Sequence, residues 1–163
     1  MGSNVGGRAG PQARLGGHLL ALVGYRNFAA LSSELSPLVA PAGPESAGRA
    51  DYGGILTWLV TALADVVVAR LGPAQEGESF VLEVRTTAGR TVGSGELPAR
   101  QGWVGRAVLA LLAGDRDTAR SQLGAAEREP DPAARAIALV EALIWLHALL
   151  DAETSAFPDP IPE

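Results

Sequence analysis

The chain has 163 residues, of which 47% are hydrophobic and 19% charged, a composition that suits one globular domain and excludes a generically disordered chain. Its formal net charge is −5, with 13 arginines and no lysine, so we expect no concentrated basic surface for nucleic acid. The chain contains no cysteine, which excludes disulfides, thiol catalysis and cysteine-ligated metal.

The N-terminal third of the sequence predicts a tail, a helix and a linker. Residues 1–12 are glycine-rich with almost nothing to bury, so we expect a disordered tail. The apolar spacing over residues 13–35 predicts a first helix. Its glycines have low helix propensity, so packing against the rest of the domain must stabilise it. Ser36-Pro37 is expected to end it, and residues 37–46 to form a linker. The buried stripe of the helix is Leu15, Leu19, Leu22 and Val23.

A second, strongly apolar helix is predicted in the middle of the chain. It begins near Ser46 or Asp51, and Gly72-Pro73 after Leu71 is typical of a helix end. Its apolar positions recur at helical spacing over three turns, which indicates one buried side. The buried stripe is Leu56, Leu59, Val60, Leu63 and Val67.

After the second helix the hydrophobic period changes from helical to two. The pattern alternates Phe80, Leu82 and Val84 with Val81, Glu83 and Arg85. Gly89 suits a tight turn between two strands. This pattern predicts a small β-hairpin over about 79–93. Because an isolated hairpin is marginally stable in water, it must pack on the helices or pair with a partner's strand.

Two further helices are predicted over residues 103–113 and 118–129, separated by a turn at Gly114-Asp115. The residues that carry a family pattern here are Trp103, Ala107, Gly114, Asp115, Ala119, Leu123, Ala126 and Pro130. Their spacing resembles one tetratricopeptide repeat over about 103–130, which implies a helical hairpin of the kind used for protein binding. The proline sits one place early, and Ala110 stands where the family has a large aromatic residue. The resemblance therefore implies hairpin geometry and does not extend to a peptide-binding groove.

The last helix is the most apolar. Asp131-Pro132 is a helix start, and the chain remains helical in pattern to about Glu153, before a proline-rich tail over residues 154–163. Its polar residues between Ala133 and Ala152 are Arg135, Glu141, His147 and Asp151. A helix that is apolar nearly all round is normally covered on most sides. We expect this segment to be the centre of a bundle or half of a subunit interface.

These elements predict a mainly α fold: an antiparallel bundle of about five helices with the hairpin inserted, in a single domain over residues 13–153. Ile55–Ala69 and Ala136–Leu150 are apolar, but both are shorter than a membrane span and carry internal charges. We therefore expect no membrane partner.

The N-terminus does not match a signal peptide, so we expect a cytoplasmic protein. The use of arginine without lysine is typical of GC-rich bacterial genomes.

Three charges, Asp65, Arg106 and Glu141, each stand alone in an otherwise apolar helix. An unpaired buried charge is costly, so three interpretations remain open: a solvated ridge, an ion pair from Arg106 to either carboxylate, or a polar pocket. His147 and Asp151 share a helix face, which suits base catalysis or a histidine paired locally at a helix end. Asp65, Arg106, Glu141 and His147 are the candidate ligand-binding or structural cluster.

No catalytic residue, metal site or cofactor is predicted. The sequence has no metal-ligand spacing among histidines and carboxylates, and no glycine-rich phosphate loop. Trp58 and Trp145 are interface candidates because aromatic residues are favoured at subunit contacts, and plain core packing is the alternative.

The sequence favours a non-enzymatic protein-interaction or regulatory module that self-associates as a homo-oligomer, and a different protein is the second kind of partner considered. The alternative is a small-ligand-binding protein or enzyme with a polar pocket between its helices. A third hypothesis, DNA binding through Arg116, Arg120 and Arg128, is weakened by the acidic residues between them.

Overall fold

The computed structural model describes residues 10–40, 51–85, 88–93, 96–98, 100 and 102–152. These ranges are mainly helical and contain α1 (Pro11–Gly24), α2 (Phe28–Val39), α3 (Tyr52–Leu71), β1 (Glu83–Arg85), β2 (Thr91–Gly93), α4 (Trp103–Leu112), α5 (Arg116–Glu127) and α6 (Pro132–Asp151). The predicted C-terminal tail, most of the N-terminal tail and most of the linker lie outside them. The expectation of about five helices is corrected to six within the described ranges.

The prediction of one helix over 13–35 is wrong, because the chain breaks it into α1 and α2. Arg26 adopts a left-handed conformation with φ of 55°, which ends α1. The next residue, Asn27, caps α2 by accepting a hydrogen bond from the backbone N–H of Ala30 at 3.2 Å. A turn and a new N-cap therefore stand where apolar spacing alone predicted a continuous helix.

The prediction that Ser36-Pro37 ends the helix is also wrong, because α2 continues to Val39 with Pro37 inside it. Proline lacks one backbone donor, so the last turn has one hydrogen bond fewer. Leu31, Leu35 and Val39 are all buried at four-residue spacing. Burial of Val39 against the core gives the last turn a stabilisation that the local pattern does not reveal.

The boundaries of α3 agree with the sequence prediction at Asp51 and Gly72. The Asp51 side chain accepts a hydrogen bond from the backbone N–H of Gly54 at the first turn. Gly72 has φ of 79°, a conformation that favours glycine and ends the helix. At the same end, Arg70 donates hydrogen bonds to the carbonyl oxygens of Leu150 and Ala152, which satisfies carbonyls that the end of α6 leaves free.

Helices α4 and α5 pack against each other as a hairpin around the predicted turn. Gly114 supplies the left-handed residue, with φ of 76°. Asp115 caps α5 by accepting hydrogen bonds from the Thr118 hydroxyl at 2.6 Å and backbone N–H at 2.9 Å, which lower the pKa of the Asp115 carboxyl. The resemblance to a tetratricopeptide repeat stays a prediction.

The two strands form a minor part of the fold. They pair antiparallel with Glu83 opposite Gly93, Val84 opposite Val92 and Arg85 opposite Thr91. The predicted hairpin over about 79–93 includes residues 86 and 87, which lie outside the described ranges.

The core lies between α3 and α6, with α1, α2, α4 and α5 packed around them. Its most completely buried side chains are Leu19, Ile55, Leu56, Leu59, Val60, Leu63, Val104, Leu139, Leu143 and Leu146. Half of this list comes from α3, so the second predicted helix supplies the largest share of the core. This arrangement leaves the opposite side of α6 pointing away from α3.

Candidate functional site: the outer face of α6

Helix α6 has one face in the core and a second apolar face that is exposed in the described part of the chain. The core face is Ala134, Ala138, Leu139, Ala142, Leu143 and Leu146. The open face, called here the α6 face, consists of Ala133, Ile137, Val140, Glu141, Ile144 and Ala148. Ile137 and Ile144 are 55% and 48% exposed, so two large apolar side chains meet solvent on one stripe.

The described part of the chain covers α6 on its core side only, so of the two expected settings, the centre of a bundle or half of a subunit interface, the second stays a prediction for the outer side. By length and composition alone, α3 and α6 would each suffice to cross a membrane, and the fold buries 33% of the most apolar window of each. Each helix has 20 residues, so the sequence-based argument that both segments are too short is also corrected. The described residues therefore leave the outer side of α6 uncovered.

A shallow recess of about 540 Å³ runs along the α6 face. Its other lining residues are Leu97, Ala136 and Trp145, so its walls are almost entirely apolar. Glu141 is the exception. An apolar recess of this size with one ionisable group at its centre has the features of a contact surface.

Glu141 is half-buried and stands without a hydrogen bond or ion pair in the described part of the chain. Burial raises the pKa of its carboxyl to about 7, because desolvation penalises the charged form. The segment packed against it contributes Leu97, next to which Glu96 is exposed. On α6 the nearest ionisable residues are Arg135 and His147, each six positions away, so neither shares its face.

The four residues of the predicted polar cluster do not converge. Asp65 is exposed on α3, while Arg106 donates from Nε to Gln122 Oε1 on α5 at 3.2 Å. The ring of His147 lies against Gly24 at the end of α1, where an added Cβ would be 3.4 Å from Cε1. Glu141 stays on the outer face of α6.

No ion pair between described residues joins Arg106 to Asp65 or Glu141. The pairs in the described ranges are His18 with Glu34, Arg100 with Glu129 and Arg120 with Asp117. Between described residues, Arg106 is therefore not paired with either carboxylate, and Glu141 is the one of the four that lies on an exposed apolar face.

The two candidate interface tryptophans have different surroundings. The ring of Trp58 lies across Gly16, where an added Cβ would be only 2.2 Å from Cζ3, so this contact lies inside the bundle between α3 and α1. Trp145 lines the recess beside the α6 face. Of the two tryptophans, Trp145 is therefore the one that lies next to the α6 face.

A polar cluster that the sequence did not predict lies where α3 and α6 begin. It consists of Tyr52, Arg100, Glu129 and Arg135, and we call it the N-terminal cluster. The Tyr52 hydroxyl donates to the Arg135 carbonyl oxygen at 3.2 Å, and the Arg135 guanidinium lies 4.3 Å from the centre of the Tyr52 ring. Burial raises the pKa of Tyr52 to about 12, although the positive charge of Arg135 opposes the shift.

The carboxylate of the N-terminal cluster belongs to Glu129, whose side chain is 5% exposed. It accepts from the Arg100 Nε at 3.2 Å and from the Asp131 backbone N–H at 3.0 Å. These contacts join the end of α5 to the start of α6, so the cluster is structural. A sequence signal existed, since Glu129 precedes a proline and the Asp131 cap, but its buried position depends on the tertiary fold.

An apolar groove of about 510 Å³ lies on another side of Trp145. It is bounded by α3, α4, α6 and the segment before β1, and its only charged lining residue among the described ranges is Glu83. Leu82 closes part of it against Gly105, where an added Cβ would be 2.8 Å from Leu82 Cδ2.

Within the described ranges no group of three or more histidine, aspartate or glutamate side chains is arranged to hold a metal ion. Comparison of the chain with protein-family models, with curated proteins and with solved structures found no match.

Proposed function

We propose that this protein is a non-enzymatic helical interaction module that self-associates through the α6 face. The observation that supports this is the open apolar stripe centred on Ile137 and Ile144, on a helix whose opposite side is in the core. Contiguous exposed apolar surface on a soluble domain marks a binding surface, because its burial releases free energy.

A second copy of the chain suits this face better than a lipid surface does. Helices that lie on membranes have basic residues along their polar side, attracted to anionic lipid. Helix α6 has one arginine, Arg135, which packs on Tyr52, and the whole chain has a net charge of −5. Ile137 and Ile144 are equally spaced from the middle of the face, which favours a self-complementary contact.

The proposed architecture is an antiparallel bundle with the hairpin insertion, and the α4–α5 pair keeps its tetratricopeptide resemblance as part of the proposal. In this arrangement the bundle serves as the rigid support that presents the α6 face.

Replacing Ile137 by aspartate tests the proposal. A carboxylate at the centre of an apolar contact has to be desolvated on association, so Ile137→Asp should convert the dimer to a monomer in sedimentation velocity. Val81→Asp is the matched control, since Val81 is 77% exposed and lies off the α6 face. A native chain that sediments as a monomer at every concentration and pH at which it is folded contradicts the proposal.

A second candidate function, binding of an apolar small molecule, is favoured by the apolar groove. Its volume of about 510 Å³ lies within the usual range for ligand sites, and its lining is apolar except for Glu83. The carboxylate of Glu83 at the edge favours a neutral or cationic ligand over a fatty acid. The groove differs from the polar pocket expected from the sequence, because its lining is apolar and contains none of the four residues of the predicted cluster.

The neutral dye Nile red tests the groove. Leu71 lines it and is 48% exposed, so Leu71→Asp should remove dye binding without unfolding the bundle. Ile137→Asp, which lies on the other surface, should retain the dye. Equal loss in both variants would assign the dye to the α6 face instead.

A further inference from the structure

The exposed residues of the α6 face are arranged symmetrically along the helix. Ala133 and Ala148 are equally distant from the point between Val140 and Glu141, and so are Ile137 and Ile144. All four are exposed, and the two central residues are half-buried. The four outer positions of the face therefore read the same from either end, whereas Val140 and Glu141 exchange places at the midpoint.

This symmetry determines how two copies can meet. In a two-fold symmetric dimer the same patch is used by both subunits, and helices related by such an axis through their midpoints run antiparallel. Ile137 of one copy then lies opposite Ile144 of the other, and the small Ala133 lies opposite Ala148. Because Glu141 lies next to the midpoint, its carboxyl group lies beside the same carboxyl of the second copy.

We propose that two copies pack their α6 faces antiparallel about this axis, and that the dimer forms only when the two Glu141 carboxyl groups are protonated. The inference rests on the proposed self-association and adds the antiparallel geometry of the dimer and the dependence of dimer formation on protonation of Glu141. Two ionised carboxylates placed together in an apolar contact would repel each other and lose water. Two neutral carboxyls, in contrast, can hydrogen-bond to one another.

Among the described residues, no basic side chain pairs with Glu141. Its neighbours on the face are Ile137 and Ile144, and the packed segment contributes Leu97. The adjacent Glu96 is exposed and acidic, so it offers no positive charge to pair with Glu141. On α6, Arg135, His147 and Asp151 lie toward the ends, and Arg135 is engaged by the Tyr52 ring. Burial alone raises the pKa of Glu141 to about 7 in the single chain, so protonation falls near neutral pH.

Sedimentation equilibrium across the neutral range measures the linkage. Each proton required for association weakens it about tenfold per pH unit once the free carboxyl is ionised, so two protons give up to about a hundredfold. The dissociation constant of the native chain should therefore rise steeply above about pH 7. Glu141→Gln should keep a tight dimer with no such rise. Glu76→Gln, an exposed loop carboxyl changed in the same way, should keep the native slope.

The outcomes separate this inference from the proposed function. A native dimer whose dissociation constant is unaffected by pH would overturn protonation control and leave self-association standing. A slope that persists in Glu141→Gln would assign the titration to another group and overturn the role of Glu141. A native chain that stays monomeric but floats with phospholipid vesicles, with Ile137→Asp abolishing flotation, would overturn both proposals in favour of a membrane surface.

Single cysteines test the antiparallel register, because the chain has no cysteine of its own. Val140→Cys alone should form a disulfide-linked dimer when a chemical oxidant that accepts the two thiol electrons is added at a pH at which the dimer forms, since the two copies of this position meet at the axis. Ile137→Cys alone should not, because its two copies lie about 10 Å apart along the helices. A mixture of Ile137→Cys and Ile144→Cys should cross-link. Self-linking of Ile137→Cys with none in the mixture would overturn the antiparallel arrangement.

Discussion

Two carboxyl groups twelve residues apart, Glu129 and Glu141, have opposite surroundings. Glu129 is almost fully buried, yet its oxygens accept from Arg100 and from the backbone of Asp131. Glu141 is less buried and has no partner in the described part of the chain. The fold satisfies the first carboxylate internally and leaves the second unsatisfied beside exposed isoleucines.

This difference distinguishes a structural charge from a candidate functional one. Buried polar groups in stable folds are usually hydrogen-bonded, and the Glu129 carboxylate follows that rule. A half-buried carboxyl without partners lowers the stability of the single chain when it is ionised, so a structural role does not explain it. Its position in the middle of the α6 face is explained if the second copy of the chain supplies its surroundings.

The largest effect should come from removing the satisfied carboxylate. Glu129→Ala leaves the Asp131 N–H without its acceptor and creates a gap at the junction of α5 and α6, so the free energy of unfolding should fall by about 2–3 kcal/mol. Chemical denaturation measures this change. The matched substitution Glu141→Ala should cost less than about 0.5 kcal/mol at alkaline pH, because it removes an unfavourable charge. Equal losses at the two positions would remove the distinction between them.

The sequence predicted the helix boundaries best where a side chain or a glycine acts locally. Asp51, Asp115 and Asp131 each cap a helix, and Gly72 and Gly114 adopt the positive φ expected of a helix end. These signals depend on residues close in sequence, so they can be recognised without the fold. Asn27 acts in the same way, but the apolar stripe on both sides of it concealed the break.

The arrangement of charges could not be predicted, because it depends on distances between helices. Arg106, expected to reach Glu141 or Asp65, contacts Gln122 on α5 instead. The buried position of Glu129 follows from how α5 meets α6, which helical spacing does not encode. The sequence did identify Glu141 as unusual, since a lone charge in an apolar helix needs an explanation whatever the packing.

A smaller effect is expected from Glu141→Gln, and its sign depends on pH. The folded chain raises the pKa of Glu141 from 4.5 to about 7, so the folded state binds the proton more tightly than the unfolded state. The free energy of unfolding should therefore decrease as pH rises through this window. Above it, Glu141→Gln should be more stable than the native chain by roughly 1–2 kcal/mol, after allowance for partial exposure.

Thermal denaturation at a concentration at which the native chain is monomeric measures this second effect. The two proteins should have similar stability below about pH 4.5, where the native carboxyl is neutral in both states. A native chain that gains stability relative to Glu141→Gln as pH rises would show that the carboxylate has a favourable partner.

The smallest effect concerns Tyr52, which belongs to the satisfied region. Tyr52→Phe removes the hydrogen bond to the Arg135 carbonyl but keeps the ring under the guanidinium, so it should cost about 1 kcal/mol in chemical denaturation. Burial raises the pKa of this phenol to about 12, so it should ionise late in an alkaline titration followed by tyrosinate absorbance. In a Tyr25→Phe background the tyrosinate absorbance comes from Tyr52 alone, because the chain has two tyrosines. Folding stability should also fall as pH rises from about 10 to about 12, since the unfolded phenol ionises first. Ionisation of Tyr52 near pH 10 in the folded chain would mean that the N-terminal cluster is open to water, and its contrast with the α6 face would be lost.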